Sequence, residues 1–505
     1  MPEPVTRDDT IGGIGADSAT IADLSNALAS GATTSRALTA FYTQRIEQLN
    51  HTLHAVISMN PGAPSEAAAC DEARGSHPPG PLAGIPVLVK DNIAARGMPA
   101  TAGSPALAEA EQDEAFLVRR LREAGAVILG KANLSEWANF RSTHGTSGWS
   151  TLGGQAANPH ALDRNPSGSS SGSAVAVAAG LAPVAVGTET DGSILCPASA
   201  CGIVGIKPTM GLVSRAGIVP ISAAQDTAGP LARSVADAAA LLSVLAGPDP
   251  ADPATAEAQR QPRDYTAFLA ENALAGARLG VWRGGSQLAG RASTAVLDRA
   301  LARLREAGAQ IIDPVELPGA DQVTEPEFTA LTHEFKHDLN NYLAGLGGRH
   351  PATLADLISF NTHNGTSVLA HFGQELLEQA EATSGDLADP GYLAAREEAG
   401  RRARGALDGP LTAHRLDAIV ALTANPAWLT DYVLGDFDQF HTSGPAAVAG
   451  YPTVSVMGGE VWGLPVGISF LGPRWSEPRL IGLAHAFERL SAGRLVPGLR
   501  PSAAQ

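Results

Sequence analysis

Two neighbouring segments rich in serine and glycine form the largest candidate site in the sequence. The first, Arg164-Asn-Pro-Ser-Gly-Ser-Ser-Ser-Gly-Ser173, leads into a helix of small residues, and the second, Gly187-Thr-Glu-Thr-Asp-Gly-Ser-Ile194, follows the next apolar strand. A Gly/Ser turn that opens a helix can bind an anion, because free N–H groups and the helix dipole converge there. The interpretation as a phosphate site is weakened, because no Walker-type Lys-Ser/Thr follows. A flexible linker is also disfavoured, because predicted strands and helices closely flank these segments.

A nucleophile-elbow pattern lies within the first segment. Gly168-Ser-Ser-Ser-Gly172 fits G-x-S-x-G with Ser170 at its centre. That motif places the serine on a sharp turn between a strand and a helix. The helix is expected, but the preceding residues 158–166 are rich in turn formers and do not indicate a strand. The absence of a predicted strand before the motif therefore disfavours an α/β-hydrolase.

A zinc-protease pattern occurs far downstream. His333-Glu-Phe-Lys-His337 fits H-E-x-x-H, which on a helix puts two imidazoles on one face with Glu334 as a base. The further ligands are missing, because Asn340 and Leu343 stand where a metzincin needs Gly and His, and the next Glu after Glu334 is Glu375. The alternative interpretation, which we prefer, is a charged helix face that is solvated or borders a cleft.

Lysine is rare in this chain, which has four lysines, Lys90, Lys131, Lys207 and Lys336, against 31 arginines. A GC-rich genome explains most of this bias, but a buried lysine can lose its proton whereas arginine stays charged. Lys90 ends the apolar run Gly84-Ile-Pro-Val-Leu-Val-Lys90, so burial at a strand end is expected. Burial would lower its pKa from about 10.4 toward neutrality.

The elements that must position these residues are short apolar strands alternating with helices. Strands are predicted at residues 53–59, 84–90, 126–130, 182–186, 278–282, 417–421, 453–457 and 465–470, and helices at 19–29, 36–49, 65–74, 114–124, 172–179, 294–307 and 477–490. This alternation predicts an α/β fold with a central mixed, mostly parallel sheet flanked by helices on both faces. The purely helical pattern at about 325–405 predicts a side lobe. Because strands occur at both ends, we expect a single domain over residues 1–505, with its core at about 17–490.

At these motifs the sequence resembles the amidase signature family. Lys90, Ser169 and Ser193 match the Ser–cis-Ser–Lys triad of that family, with spacings of 79 and 24 residues. The similarity covers residues 17–490. Further segments that look like family segments are Cys201-Gly-Ile-Val-Gly-Ile-Lys-Pro-Thr209, Gly444-Pro-Ala-Ala-Val-Ala-Gly-Tyr-Pro452 and Gly463-Leu-Pro-Val-Gly-Ile-Ser-Phe-Leu-Gly472.

The resemblance implies a role for each member of the triad. Ser193 would be the nucleophile, and a neutral Lys90 would be the base that acts on it through Ser169. A cis peptide bond between Gly168 and Ser169 would aim the Ser169 hydroxyl at both partners, and Ser170 would help to hold the turn. Lys131 and Lys207, in contrast, are expected to serve the structure.

The same resemblance implies an oxyanion hole without a metal or another cofactor. The backbone N–H groups of Thr190, Asp191, Gly192 and Ser193 would bind the developing charge, since Gly192 allows the backbone to curl. Such donors typically contribute about 3–4 kcal/mol each to lowering the barrier.

Within that family, residues 187–197 are similar to the bacterial peptide amidase subgroup. Many other members have Asp where this chain has Glu189, Gly where it has Asp191, and Arg where it has Leu195. An arginine at that last position can hold an acidic substrate by a bidentate pair, and leucine cannot. We therefore expect a neutral carboxamide substrate, in particular the C-terminal amide of a peptide.

Several alternative functions remain open at this stage. A broad-specificity amidase for small molecules would use the same residues, as would the catalytic component of a tRNA-dependent amidotransferase with partner subunits. A lipid-amide hydrolase anchored in a membrane is disfavoured, because the sequence shows no apolar anchor. A catalytically dead binding module is disfavoured by the intact set of Lys90, Ser169 and Ser193.

Composition sets further expectations. The formal net charge of −16 argues against a nucleic-acid binder. No basic-then-apolar signal pattern opens the chain. The three cysteines, Cys70, Cys196 and Cys201, cannot all pair and lack zinc-type spacing, which favours a reducing compartment. We therefore expect a cytoplasmic monomer that acts on a small-molecule or peptide amide and binds neither nucleic acid nor membrane.

Overall fold

The structure is a computed structural model that describes residues 10–74, 80–491 and 493–503. Its strands are β1 (Thr10–Ile11), β2 (Ile14–Gly15), β3 (Val56–Met59), β4 (Pro86–Lys90), β5 (Glu109–Glu111), β6 (Val127–Ala132), β7 (Trp149–Ser150), β8 (Gly154–Gln155), β9 (Val184–Glu189), β10 (Val204–Lys207), β11 (Thr227–Ala232), β12 (Arg278–Val281), β13 (Gln310–Ile312), β14 (Gly347–Arg349), β15 (Ala418–Leu422), β16 (Thr453–Val461) and β17 (Leu464–Leu471). Its helices are α1 (Ile21–Ser30), α2 (Ser35–Leu53), α3 (Ala63–Ala73), α4 (Phe116–Glu123), α5 (Ser171–Ala178), α6 (Leu195–Cys201), α7 (Val235–Leu245), α8 (Gly290–Glu306), α9 (Thr324–Ala344), α10 (Leu354–His363), α11 (Gly365–Val368), α12 (Glu375–Glu381), α13 (Pro390–Ala413), α14 (Gly444–Ala449) and α15 (Glu477–Leu490).

One large mixed sheet organises the described part of the chain. Its eleven strands follow the order β13-β12-β15-β17-β16-β10-β11-β9-β4-β6-β3. The prediction of an α/β fold with a mixed central sheet is confirmed. Parallel pairing is concentrated in two blocks, β13-β12-β15 and β9-β4-β6, whereas the pairings between the blocks and the edge pair β6-β3 are antiparallel. Antiparallel neighbours such as β16 and β17 need only a tight turn, here Trp462–Gly463, whereas parallel neighbours need a crossover.

Helices cover both faces of this sheet, and β4 shows how the sequence assigns the faces. Val87 and Val89 pack into the core cluster that contains residues of α4, α7, α8 and α15. Leu88 packs into the opposite cluster, which contains residues of α2, α5 and α6. Successive side chains of a strand point to opposite faces, so a continuous apolar run is required where both faces are buried. The sequence prediction of a buried strand ending at Lys90 is confirmed.

Two helix boundaries differ from the sequence prediction for local reasons. The first helix begins at Ile21 and not at residue 19, because Thr20 caps it: the Thr20 hydroxyl accepts from the Asp23 N–H and the Asp23 carboxylate accepts from the Thr20 N–H. The second helix continues beyond residue 49 to Leu53 and ends where His54 adopts a left-handed conformation.

The predicted helical stretch at about 325–405 corresponds to α9 through α13. These helices extend over residues 324–413 and are interrupted by the short strand β14, which pairs with β5 from the first part of the chain. Strands from both ends of the sequence share the central sheet, as β3, β4 and β17 illustrate. The organisation as a single domain over residues 1–505 stays a prediction.

Two further features bear on the expectations for the whole chain. None of the helices in residues 10–74, 80–491 and 493–503 is both long and apolar enough to cross a bilayer. The three cysteines are free thiols: Cys70 is half-buried, whereas Cys196 and Cys201 are buried in α6.

Candidate active site

Lys90 lies at the carboxyl end of β4 and is fully buried. It shares the strand face of Leu88, which packs toward α5, because side chains alternate across a strand. α5 begins at Ser171, directly after the Gly/Ser turn. The Lys90 side-chain nitrogen Nζ consequently lies 2.8 Å from the Ser169 hydroxyl Oγ. The structure thus brings these two candidate residues into direct contact.

The surroundings of Lys90 favour its neutral form. Its Nζ also donates to the Thr188 hydroxyl at 2.9 Å and the Thr188 carbonyl at 3.3 Å. Burial lowers the pKa of Lys90 to about 7, although the carboxylates of Asp226 and Glu189 act in the opposite direction. A lysine with this pKa is substantially unprotonated at neutral pH and can accept a proton.

The serine turn is fixed by hydrogen bonds to the end of β9. The Gly168–Ser169 peptide bond is cis, as the family resemblance implies. The Ser170 hydroxyl donates to the Thr188 carbonyl at 3.0 Å and accepts from the Thr188 N–H at 3.2 Å. Because both bonds occupy this hydroxyl, Ser170 is poorly placed to act as a nucleophile, which argues against the nucleophile-elbow interpretation.

Ser193 lies on the loop between β9 and α6, beside the serine turn. The Ser170 N–H donates to the Ser193 carbonyl at 3.0 Å and so joins the two segments. Ser193 is 7% exposed, and within the described residues its hydroxyl makes no hydrogen bond. The Ser193 hydroxyl is therefore available to a substrate, in contrast to that of Ser170.

Unused backbone donors accompany Ser193. Within the described ranges, the N–H groups of Asp191, Gly192 and Ser193 donate to no protein acceptor. Gly192 has φ = +75°, and a Cβ atom there would lie 2.9 Å from the Cys196 sulfur. Glycine is therefore required for this left-handed curl. Buried backbone donors are almost always paired, so free ones beside an unbonded hydroxyl indicate a site for an oxygen anion.

Glu189 anchors the other end of this loop. Its carboxylate oxygen Oε2 accepts from the N–H groups of Ile194 at 2.7 Å and Leu195 at 3.0 Å, at the start of α6. Burial raises the pKa of Glu189, and the nearby Lys207 partly offsets this. Lys207 is itself fully buried, and its side-chain nitrogen donates to the Pro208 carbonyl at 3.3 Å. Its structural role stays a prediction.

The sequence did not reveal two groups that hold the oxyanion loop, which we define as residues 190–193. On one side, the Thr190 hydroxyl donates to Asp226 at 2.5 Å, and the Gln225 amide donates to the Thr190 carbonyl at 3.0 Å. On the other side, the Ser443 hydroxyl donates to the Asp191 carboxylate at 2.5 Å.

The Ser443 hydroxyl also lies 2.9 Å from the His441 ring nitrogen Nδ1. Burial disfavours a charged imidazole, but the carboxylates of Asp438, Asp191 and Glu189 outweigh it and raise the pKa of His441. These partners come from distant parts of the chain, and no local spacing could have linked them to Ser193.

A cavity of about 250 Å³ adjoins the site. Asn92, Thr188 and Thr190 line it on the side of Lys90, and the apolar stretch 218–221 lines another wall. Asn92 also donates to the Thr188 hydroxyl at 2.9 Å, so the cavity wall is continuous with the partners of Lys90. The arrangement places a cavity beside the oxyanion loop and the partners of Lys90.

The H-E-x-x-H residues lie on α9. A solvated position is wrong for Glu334, which is buried and bonded to Tyr392 at 2.9 Å and to Arg396, whereas Asp338 of the same helix lines the cavity, as expected of a helix face that borders a cleft. Packing of α13 against α9 creates this buried ion pair. His333 and His337 each have a ring nitrogen within 3.2 Å of a backbone carbonyl. Nothing in this arrangement gathers ligands around the two imidazoles, and no cluster of three or more metal-binding side chains occurs in the described ranges.

The chain matches known proteins over most of its length. The family model named Amidase matches residues 37–481. A solved structure, the native peptide amidase from Stenotrophomonas maltophilia, superposes with a TM-score of 0.90 and is 50% identical, covering 95% of this chain and 98% of that one. A probable amidase from Arabidopsis thaliana is 41% identical over 95% of this chain and 91% of its own length. A glutamyl-tRNA(Gln) amidotransferase subunit from Pseudomonas aeruginosa is 35% identical over 94% of this chain and 97% of its own.

Proposed function

The chain belongs to the amidase signature family, and from this premise we propose that it hydrolyses the C-terminal carboxamide of peptides to a carboxylic acid and ammonia. The observation that carries the proposal is the contact of the buried Lys90 nitrogen with the Ser169 hydroxyl, 2.8 Å away, beside the free Ser193 hydroxyl. A neutral amine, a relay hydroxyl and an available hydroxyl are the groups that serine-based amide hydrolysis needs.

In the first half of the proposed reaction, Ser193 attacks the carboxamide carbon. Its proton passes to the Ser169 oxygen while the proton of Ser169 passes to Lys90, and a C–O bond forms. The negative charge on the substrate oxygen is held by the N–H groups of Asp191, Gly192 and Ser193, which are free for it, together with that of Thr190. The proton then returns through Ser169 to the substrate nitrogen, the C–N bond breaks, and ammonia leaves.

In the second half, water repeats the same path. A water molecule loses a proton through Ser169 to Lys90 and attacks the ester carbon of the acyl-enzyme. The proton returns to the Ser193 oxygen as the ester bond breaks, and the carboxylic acid is released. The base is regenerated in each half, so the pKa of about 7 suits Lys90 to both accepting and returning the proton.

Two observations support a peptide amide as the substrate. The peptide amidase from Stenotrophomonas maltophilia shares half of its residues with this chain. Leu195 is buried at the start of α6 and offers no positive charge to a substrate carboxylate. We propose that a neutral terminal carboxamide binds with the peptide running outward.

Mass spectrometry on a panel of amides tests this function. The panel contains peptide amides, the same peptides as free acids, and simple aliphatic and aromatic amides. We expect each peptide amide to gain about one dalton as NH₂ becomes OH, and internal peptide bonds to remain intact. Turnover of simple amides alone would assign the chain to the broad amidases, and internal cleavage would indicate a protease. Ammonia release from glutamine only in the presence of partner subunits would favour the amidotransferase alternative.

Ser169→Ala is expected to be the mildest of the three triad substitutions. The variant should lower kcat by about 10²–10³-fold, because a positioned proton relay contributes on this scale and water can partly replace it. Steady-state kinetics on one peptide amide, beside the alanine variants of Lys90 and Ser193, measures the ranking. Residual activity below that of the other two variants would contradict the relay role.

Gln225→Met is expected to lower kcat by about 10–100-fold with little change in KM, the scale for a disturbed oxyanion donor. The Gln225 amide joins the Thr190 carbonyl at 3.0 Å to the Glu327 carboxylate at 2.6 Å, so it holds the oxyanion loop against α9. Methionine preserves the volume but cannot donate. Gln322→Met, on the outer side of the helical segment, is the matched control and should retain wild-type kinetics. An unchanged kcat in Gln225→Met would refute this positioning role.

A further inference from the structure

Exposed apolar side chains are concentrated in one short segment near the candidate site. In the described ranges, twelve large apolar side chains are exposed, and five of them lie within residues 429–437. Val433 is 85% exposed, Leu434 78% and Phe437 66%, while Leu429 and Tyr432 are less so. Single exposed apolar residues are ordinary, but a contiguous group on a folded protein marks a surface that binds something. We call residues 429–437 the apolar lip.

The apolar lip is held in place by exposed and partly buried hydrogen bonds. The Asp431 carboxylate accepts from the N–H groups of Val433 at 2.7 Å and Leu434 at 2.9 Å, which forms a tight turn that directs both side chains outward. The Asp436 carboxylate accepts from the Ser147 N–H at 3.0 Å, and the Thr146 hydroxyl donates to the Asp431 carbonyl at 2.9 Å. Side chains presented on a fixed backbone lose little entropy on binding.

Two acidic residues of the segment take part in these contacts. Burial raises the pKa of Asp436 to about 6, and its carboxylate is bonded to Ser147, Trp428 and Asn165. Asp431 caps the turn. Both carboxylates are thus bonded within the protein, and the large side chains that the segment exposes are apolar or aromatic.

One end of the apolar lip reaches the serine turn. The Asn165 amide donates to the Ser147 carbonyl at 2.9 Å and to Asp436 at 3.3 Å, while its oxygen accepts from the Ser167 N–H at 2.8 Å. Ser167 directly precedes the Gly168–Ser169 peptide bond. A single asparagine thus separates the lip from the turn that carries the Lys90 partner.

Beyond its other end, the chain reaches the oxyanion loop. His441 and Ser443 follow the lip in sequence, and Ser443 bonds Asp191 at 2.5 Å. The lip also continues into an aromatic cluster, because Tyr432 stacks on His371 with ring centroids 4.2 Å apart. Trp149 packs against both His371 and Phe372. An apolar surface therefore borders the site between the serine turn and the helical segment.

We propose that the apolar lip is a docking surface for the apolar side chains of a peptide that precedes the scissile carboxamide. The inference rests on the proposed peptide amidase function. The apolar lip is continuous with the border of the site, and a peptide whose terminal amide lies at Ser193 must leave the site past one of its borders. We therefore take the upstream peptide as the occupant of the lip, because this border is apolar. The lip adds binding energy for upstream apolar residues without touching the reacting atoms.

The test uses the triple variant V433S/L434S/F437S, in which every substituted side chain is solvent-exposed, so that the fold should be preserved. The matched control is L288S/W462S, which removes apolar side chains that are 61% and 65% exposed outside the lip. The substrates are an N-acetylated amino acid amide, a hexapeptide amide with leucine and phenylalanine upstream, and its serine- and glutamine-containing counterpart. We expect the lip variant to raise KM for the apolar hexapeptide amide at least about tenfold, with kcat and the other two substrates unchanged. The control should behave as wild type.

A binding measurement separates this inference from the proposed function. Fluorescence anisotropy of a labelled apolar hexapeptide amide is measured in a Ser193→Ala background, with and without the lip substitutions, so no turnover is needed. If the wild type hydrolyses the short amide, and the Ser193→Ala proteins with and without the lip substitutions bind the peptide equally well, the docking surface is refuted and the proposed function stands. Lip-dependent affinity without hydrolysis of any peptide amide overturns the proposed function alone. Two further outcomes at unchanged peptide affinity would also overturn the proposal. If the lip variant loses self-association in light scattering, the lip binds a second copy of the chain. If it loses sedimentation with phosphatidylcholine vesicles, the lip binds a lipid surface.

Discussion

Ser193→Ala is expected to lower kcat by about 10⁴-fold or more, which is the scale for removing the nucleophile of a serine hydrolase. The substitution removes a hydroxyl that makes no hydrogen bond within the described residues, so the folded state loses no internal hydrogen bond. The thermal unfolding midpoint should therefore remain near that of the wild type. Single-turnover kinetics on a peptide amide, with circular dichroism on the same sample, measures both.

Covalent labelling provides the control for this result. A fluorophosphonate probe should label the wild type at Ser193 and leave Ser193→Ala unlabelled. Ser173→Ala is the matched variant, because it removes a buried hydroxyl from α5 that bonds the Val186 carbonyl at 3.1 Å. It should keep its activity and its label. An active Ser193→Ala together with an inactive Ser170→Ala would instead establish Ser170 as the nucleophile and restore the nucleophile-elbow interpretation.

The sequence predicted much of the fold because its strands are buried on both faces. A continuous apolar run bounded by turns, such as the one that ends at Lys90, has few alternatives to a central strand. The last helix was predicted at residues 477–490 and is found there, since its amphipathic pattern is regular. The proportion of parallel pairs was harder to predict, because strand direction depends on which distant strands become neighbours.

The parts of the site that the sequence did not predict also depend on contacts between distant parts of the chain. Glu334 looks like a solvated helix residue in sequence, yet Arg396 and Tyr392 of another helix enclose it. Ser443 reaches Asp191 across 252 positions of the chain. The spacing of a motif predicts proximity only for residues that lie on the same turn or at the same strand end. The supports of the oxyanion loop, which come from elsewhere, therefore become visible only in three dimensions.

The fold also explains how one lysine can be both buried and reactive. Lys90 emerges at the carboxyl end of β4, in one of the two parallel blocks, where the polar groups of Thr188 and Ser169 replace water around its nitrogen. Hydroxyl and carbonyl acceptors accommodate a neutral amine without a full countercharge. Burial therefore dominates, and the pKa of Lys90 falls to about 7.

Lys90→Met is expected to lower kcat by about 10⁴-fold or more, because Ser193 loses its base and the relay has no acceptor. In the wild type, kcat/KM should rise from acidic pH and level off above about pH 7, as Lys90 loses its proton. Lys336→Met, whose side chain bonds the carbonyls of Glu381 and Thr383 away from the site, should keep both the rate and this profile. A wild-type profile that is flat from about pH 5 to 9 would contradict Lys90 as the titrating base.

The same substitution should leave a signature in stability that a lysine protonated at every pH would not. The pKa of Lys90 is about 7 in the folded chain against 10.5 for an ordinary lysine, so between these values the unfolded state binds more protons. The contribution of Lys90 to the free energy of unfolding then increases with pH across this window, whereas below pH 7 the buried charge imposes its full cost. Methionine has no such proton. Urea unfolding of both proteins at pH 6, 8 and 10 should show the stability difference moving steadily in favour of the wild type, and a constant difference would mean that Lys90 is protonated throughout and cannot serve as the base.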